Sequence, residues 1–381
     1  MTDGIHDPAQ SWNALTVGGC TDKITIDPDE WPGWTPLAPP GDLSPSSCTS
    51  TTWARWPFKP DIVMEAGNLA TDGASDPVDI EDLQLLTTAH DFAARQPLNT
   101  FADTSAAVAL AARYAAMVRA KYPSLAPQTV RGLLVHFAEW TPAMLARFTD
   151  RHGEIDYRNL LRCNGYGTPY LRRLLSSLNN SLTLVVESEL RPFFKEGGRG
   201  PVKTREMRRH PLPWPTDVLS GLGETEVLMR VTLSYFIEPS PGARGWVSRY
   251  GYQSHGLRFA VRNPIETIRQ FEERINRAVR AVDYEPPSLQ DPGWQFGRLS
   301  GLASMGSVHS DVWKGTAAQL AARGHIAVYP TMGWWNKRPQ LGAWQKAASY
   351  SLIVTIATPN IDVDLYTPVA NMIDTPVVVE A

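Results

Sequence analysis

The sequence predicts a mixed α/β first part followed by a β-sandwich-like second part. Three observations carry this. The segment from Ala106 to Val118 has Arg113 as its only charged residue, so it reads as a helix that is apolar nearly all round and therefore buried. Ahead of it, the run Asp61-Ile62-Val63-Met64, closed by Gly67, reads as a buried strand. Beyond about residue 210, hydrophobic residues recur with a period of two, as in half-buried strands. The length of 381 residues suits two domains.

Taken in order, Ala14-Leu15-Thr16-Val17 is the first strand candidate. The stretch from about Asp27 to Trp56 is rich in Trp, Pro and Ser and reads as surface loop. Its Trp31, Trp34, Trp53 and Trp56 are expected to pack on the second domain. The helix from about Thr104 to Lys121 is stopped by Pro123 and places Ser105 at the entrance of a buried central helix. A second helix starts near Pro127, and Val130, Leu133, Leu134, Phe137 and Ala138 form one stripe, as on a surface helix. From Cys163 to Glu189 come the turn residues Asn164-Gly165, Gly167 and Pro169, then a helix.

The basic cluster Lys203–His210 follows Glu196-Gly197-Gly198-Arg199-Gly200-Pro201 and reads as a solvated linker. Strands are then expected at Val227–Ile237, Leu257–Val261, Tyr350–Ile356 and Ile361–Leu365. Between them, Asn263 as N-cap, Pro264 and Glu266 announce a helix whose buried face is Ile265, Ile268, Ile275, Val279 and Val282. A fragment starting near Leu212 is expected to fold alone, on this alternating core pattern.

Composition narrows the function classes. With 43% hydrophobic and 20% charged residues the chain can bury a core, and a net charge of −3 gives no nucleic-acid footprint. Three separated cysteines, Cys20, Cys48 and Cys163, form no CxxC pair, so no zinc knuckle or disulfide framework is expected. The odd count fits a reducing, cytoplasmic compartment. Met1–Pro8 shows no basic stretch leading into an apolar core, so no secretory signal is expected, and no apolar run suggests a membrane span.

Ser105 is the main candidate for chemistry. At a helix N-terminus, unpaired backbone N–H groups and the positive end of the dipole favour an oxyanion. The competing reading is that Thr104 or Ser105 is an ordinary N-cap. An esterase elbow finds no support, because Asp103 and Ala107 stand where that motif needs glycines.

Here the residues resemble a family. Asp103-Thr104-Ser105-Ala106-Ala107 resembles the subtilase serine motif, and Lys59-Pro60-Asp61-Ile62-Val63-Met64-Glu65-Ala66-Gly67 resembles the strand and loop that precede it. Pro8–Gly18 resembles an earlier strand, Tyr122–Leu134 the helix after the serine helix, and Gly165–Pro169 a late glycine turn. The blocks occur in family order. The resemblance implies that residues 1–205 are the C-terminal portion of a subtilisin-like parallel-sheet domain, followed by the β-sandwich-like domain at 206–381. It implies a serine endopeptidase acting on protein or peptide substrates, with Ser105 as nucleophile and no cofactor. Two departures are Asp103 where the family has Gly, and Ala109 where it often has Pro.

The family's Asp, His and oxyanion-hole Asn precede the strand that begins near Ala9, so they are expected outside this sequence, and the isolated chain is expected to be inactive. His6-Asp7 cannot replace residues that come from separate elements. His90, with Asp91 beside it, reads as a surface histidine, and His136 as structural. His309 and Asp311 could share a strand face, but two ligands are too few for a metal. The implied partners are a subtilase segment carrying Asp and His and, by resemblance to long intracellular bacterial subtilases, an AAA-type ATPase. The alternative function is a catalytically inactive protease half that serves as a binding or scaffolding protein.

Overall fold

Val17-Gly18-Gly19-Cys20-Thr21 carries no charge and is buried at every position, and it forms the central strand β1 (Val17–Thr21) of a small sheet. β1 pairs antiparallel with β2 (Asp42–Leu43) and parallel with β3 (Ile62–Glu65), in the order β2-β1-β3. The computed structural model describes residues 3–53, 56–90, 97–180, 183–196, 200–205, 207–242, 251–280, 291, 293–296 and 305–358. The chain packs as two compact units, Met1–Leu125 with Leu133–Leu175, and Ala126–Gly132 with Ser176–Ala381. Its content is mixed α/β.

In the first unit, β4 (Leu85–Thr88) and β5 (Leu98–Phe101) form an antiparallel hairpin that leads into helix α1 (Asp103–Lys121). α1 packs on β1 and β3. Its burial differs from expectation. Only Ala106, Ala107, Ala111 and Val118 are buried, and Val108 is 49% exposed. The sheet covers one face of α1, and the alanines there let the backbone approach it closely.

Helix α2 (Pro127–His136) departs the other way: every residue from Thr129 to Ala138 is buried, so the predicted stripe is only part of its buried surface. α3 (Pro142–Arg147) is capped by Thr141, whose side chain accepts from the Met144 N–H, and α4 (Tyr157–Asn164) by Asp156 in the same way through Asn159. Cys20, Val63, Met144 and Leu160 form a core between the sheet and these helices. α5 (Leu171–Asn180) follows. Of the tryptophans expected to reach the second domain, Trp31, Trp34 and Trp56 have packing partners within the first unit. Trp31 and Trp34 meet edge to face at 5.7 Å and cover Ala70, Ile80 and Leu83, while Trp56 meets Trp12 at 5.9 Å and donates to the Gln10 carbonyl.

Among the described residues the second unit holds two larger antiparallel sheets besides one two-stranded pair. One has the order β6-β12-β8-β10, from β6 (Thr183–Leu190), β8 (Glu226–Tyr235), β10 (Val308–Thr316) and β12 (Ala348–Ala357). The other has the order β7-β11-β9, from β7 (Arg208–Pro211), β9 (Gly256–Val261) and β11 (His325–Thr331). The basic cluster is therefore not a free linker. Lys203–Thr204 pairs with Phe193–Phe194, and Arg208–Pro211 is an edge strand whose charges stay exposed while His210 reaches the Tyr350 hydroxyl at 2.7 Å. Likewise the helix expected up to Glu189 ends early, and Thr183–Leu190 is strand β6.

The Asn263 cap also shifts. Glu266 accepts from the Asn263 N–H and pairs with Arg274 at 2.6 Å, which holds a turn there, and Thr267 with Gln270 caps α6 (Ile268–Arg280) one turn later. Ile265 is consequently 94% exposed instead of buried, and Phe271 and Ile275 form the helix's buried face on Ala327 and Tyr329. Val282, Ile361, Val363 and Leu365 lie outside the described residues.

Candidate active site

Strand β3 delivers the chain to Ala66 and Gly67, and the Ala66 carbonyl accepts from the Asp103 N–H at 2.8 Å. Gly67 makes this approach possible. Its φ is +79°, and a Cβ there would sit 2.9 Å from the Leu83 carbonyl oxygen and 3.0 Å from Ala102 Cβ. The extended Ala102 is the N-cap of α1 and offers no capping side chain. The N-cap reading of Thr104 or Ser105 therefore fails.

Ser105 is the third residue of α1 and is exposed. Its hydroxyl has no hydrogen-bond partner among the described residues, and neither do the N–H groups of Thr104 and Ser105. Two free donors thus lie at the positive end of a 19-residue helix, beside an unpaired hydroxyl. Asp103 stands at φ +67°, the only non-glycine residue with positive φ among those described. Sequence reasoning noticed the missing glycine of the serine motif but not its cause, which is this left-handed turn into the helix.

A buried polar knot braces the same sheet. Lys59 Nζ pairs with Asp61 Oδ2 at 2.6 Å, with both side chains nearly inaccessible. Asp61 also accepts from the Thr16 N–H at 2.7 Å, and Lys59 donates to the Ala14 carbonyl at 2.8 Å, which ties the approach to β3 to the approach to β1. The late turn is equally fixed. The Gly167 carbonyl, at a residue with φ +96°, accepts from the Val63 N–H at 3.0 Å, and a Cβ there would lie 2.2 Å from the Glu139 carbonyl oxygen.

No described histidine hydrogen-bonds Ser105. His6 and His90 are exposed, and Asp91 lies outside the described residues. His136 is buried with its ring 5.0 Å from that of Phe137. His309 is buried, and its Nε2 lies 3.3 Å from the Tyr235 hydroxyl. The Asp311 carboxylate accepts from the N–H groups of Val312 at 2.8 Å and Phe296 at 3.3 Å, and burial pushes its pKa up to about 7. Among the described residues no group of three or more His, Cys, Asp or Glu gathers as a metal site. Burial raises the Cys20 thiol to about 12 and Cys163 to about 11, so neither supplies a thiolate nucleophile near neutrality.

Residues 2–167 match the model of the Subtilase family. This part of the chain is a subtilisin-like protease region. No curated protein matches the chain. The subtilase region contains β1, β3, the Lys59–Asp61 pair and the Asp103–Ala107 turn, so the free donors at Ser105 sit within the matched stretch. At the level of the family, the chemistry is that of a serine-type peptidase. No described helix is long and apolar enough to cross a membrane.

Proposed function

We propose that Ser105 is the nucleophile of a serine endopeptidase whose aspartate and histidine lie in polypeptide outside residues 1–381. The observation that carries this is the conjunction at the start of α1: an exposed, unpartnered Ser105 hydroxyl beside unpaired Thr104 and Ser105 N–H groups, inside the subtilase match. In this reading Ser105 Oγ attacks a peptide carbonyl and the incoming histidine takes its proton. The Ser105 N–H then donates to the oxyanion that forms. The parallel β1–β3 pair is read as part of a subtilisin-like parallel sheet, and the two antiparallel sheets of the second unit as a β-sandwich-like domain. A cytoplasmic setting and an AAA-type ATPase partner belong to the same proposal.

The test is active-site labelling with a fluorophosphonate probe. The chain alone should label weakly and hydrolyse casein little, since nothing described activates Ser105. A subtilase segment that supplies Asp, His and Asn should switch labelling on, and Ser105→Ala should abolish it. If labelling stays absent in a stable complex, the chain is better read as an inactive scaffolding half. Asp103 is the residue that motivates this second reading, because it brings a carboxylate to the turn two residues before Ser105.

A further inference from the structure

β7 is a thinly supported strand. It is four residues long, pairs with β11 alone, and ends at Pro211, which has no N–H to give. Directly opposed residues of an antiparallel pair project to the same side, and successive residues to opposite sides. One face of the β7–β11 pair therefore carries Arg208, His210, Ile326 and Val328, and the other carries Arg209, Pro211, His325 and Ala327. Each face holds one histidine.

The two faces meet different surroundings. His210 Nε2 lies 2.7 Å from the Tyr350 hydroxyl. Tyr350 is buried in β12 opposite Ser188 of β6, whose hydroxyl it also bonds. Arg208, on the same face as His210, donates through Nε to the Glu189 carbonyl at 3.2 Å. These two side chains tie β7 to the larger sheet. Glu187 and Glu189 alternate with Ser188 along β6, so their carboxylates project away from His210, and Arg208 is the charge beside it. On the other face Ala327 and Tyr329 pack against Phe271 and Ile275 of α6. The charges around His325 there are Arg209 of β7, Arg262 just beyond β9, and Glu272 of α6, which Arg209 approaches to 3.7 Å.

His325 Nδ1 is buried and has no hydrogen-bond partner among the described residues. A neutral ring can leave that nitrogen bare and keep its proton on Nε2, whereas an imidazolium must place an N–H there. Burial and Arg208 lower the His210 pKa. Burial, Arg209 and Arg262 lower that of His325, with Glu272 opposing.

We propose that β7 is a proton-operated latch: it lies closed on β11 while His210 and His325 are neutral, and opens when both rings take a proton. Three arginines and one carboxylate surround the two rings, so an added proton meets net positive charge on either face of a strand held by one neighbour. Both histidines are depressed from their ordinary 6.5 in the closed strand. Their contribution to closure is therefore full above pH 6.5 and is lost as pH falls below it.

Hydrogen exchange of the full chain, read as protection factors at pH 7.5 and pH 5, tests this. The most that one histidine of ordinary pKa can contribute at pH 5 is about thirtyfold. The amides of Arg208–His210 and Leu212 should lose about tenfold or more of their protection at pH 5, while those at the centre of β12, which report opening of the whole unit, lose less. His210→Gln with His325→Gln should keep β7 protection at pH 5 as it is at pH 7.5, and Arg209→Gln should move the loss to lower pH. Equal β7 protection at the two pH values in the unmodified chain overturns the latch without any variant. So does a loss no larger than that of β12, or one of the same size in the double glutamine variant.

Discussion

Asp103 occupies a left-handed backbone position in which glycine is unstrained. That conformation costs a residue with a side chain roughly 1–2 kcal/mol, less for Asp than for a β-branched residue. Asp103→Gly should therefore raise the urea midpoint slightly, by about 0.5 kcal/mol after glycine's extra unfolded-state entropy, and Asp103→Val should lower it. Lys59→Met should cost about 3–5 kcal/mol, because it strands the buried Asp61 carboxylate. Asp311 and His255 pull the pH dependence in opposite directions. Asp311 is raised from its ordinary 3.8 to about 7, so its stabilising contribution is full below pH 3.8 and lost as pH rises through 7. His255, buried against Trp335, is lowered from 6.5 to about 3, so its contribution is present above pH 6.5 and lost as pH falls toward 3. A comparison with Asp311→Asn isolates the first slope. Relative to that variant, the parent chain should lose on the order of 1–4 kcal/mol between pH 4 and 7, measured by urea titration at each pH.

At the scale of elements, the strands rich in apolar residues announced themselves. β8, β9 and β12 were legible from alternation, and β3 from its short apolar run. β7 was not legible, because Arg208 and Arg209 on an exposed edge look like solvated linker until the register with β11 is known. α1 misled in the other direction. Its alanines are equally compatible with burial on all sides and with close packing on one, and periodicity does not tell these apart. The start of α6 slipped by a turn because Glu266, while accepting from the Asn263 N–H as a capping box would, also pairs with Arg274 eight residues on and holds a separate turn ahead of the helix. The place of Ser105 at the start of α1 was legible in the sequence, whereas the Lys59–Asp61 pair was not, since pairing of buried charges is a tertiary property. The element most exposed to single-residue damage is the late turn. Gly167→Ala would force both an unfavourable φ and a 2.2 Å contact with the Glu139 carbonyl. It should abolish the cooperative melt of the first unit by circular dichroism, while a surface control such as Gly153→Ala, with nothing within 4 Å of its Cβ, should cost about 1–2 kcal/mol from φ alone.

At the scale of the whole chain, the second unit depends on segments well before the strands that alternation revealed. β6 pairs with β12 from Thr183↔Thr355 to Leu190↔Ala348, so it forms one edge of the larger sheet. β7 likewise completes the smaller sheet beside β11. The short segment Ala126–Gly132 belongs to this unit as well. Glu187 of β6 accepts from the Ala126 N–H at 2.8 Å and from the Thr129 hydroxyl. Arg131, 4% exposed, donates to the Tyr235 and Ser307 carbonyls at 2.6 Å each and to the Ser234 and Ser307 hydroxyls. A fragment starting at Leu212 lacks all of these partners. It leaves the β12 edge bare along its length and the buried Tyr235 and Ser307 carbonyls without their guanidinium donor, which invites edge-to-edge association. Residues 212–381 should therefore sediment as aggregates or melt without cooperativity, contrary to what the alternating pattern alone suggests. Residues 176–381 keep both sheets and should melt cooperatively, though below the full chain, and Arg131→Met in the full chain should cost roughly 3 kcal/mol. Sedimentation velocity and thermal circular dichroism on the two fragments decide the matter. A monomeric 212–381 with a melt as sharp and as high as that of 176–381 would mean that β6 and β7 are dispensable, and that the second unit's core closes without them.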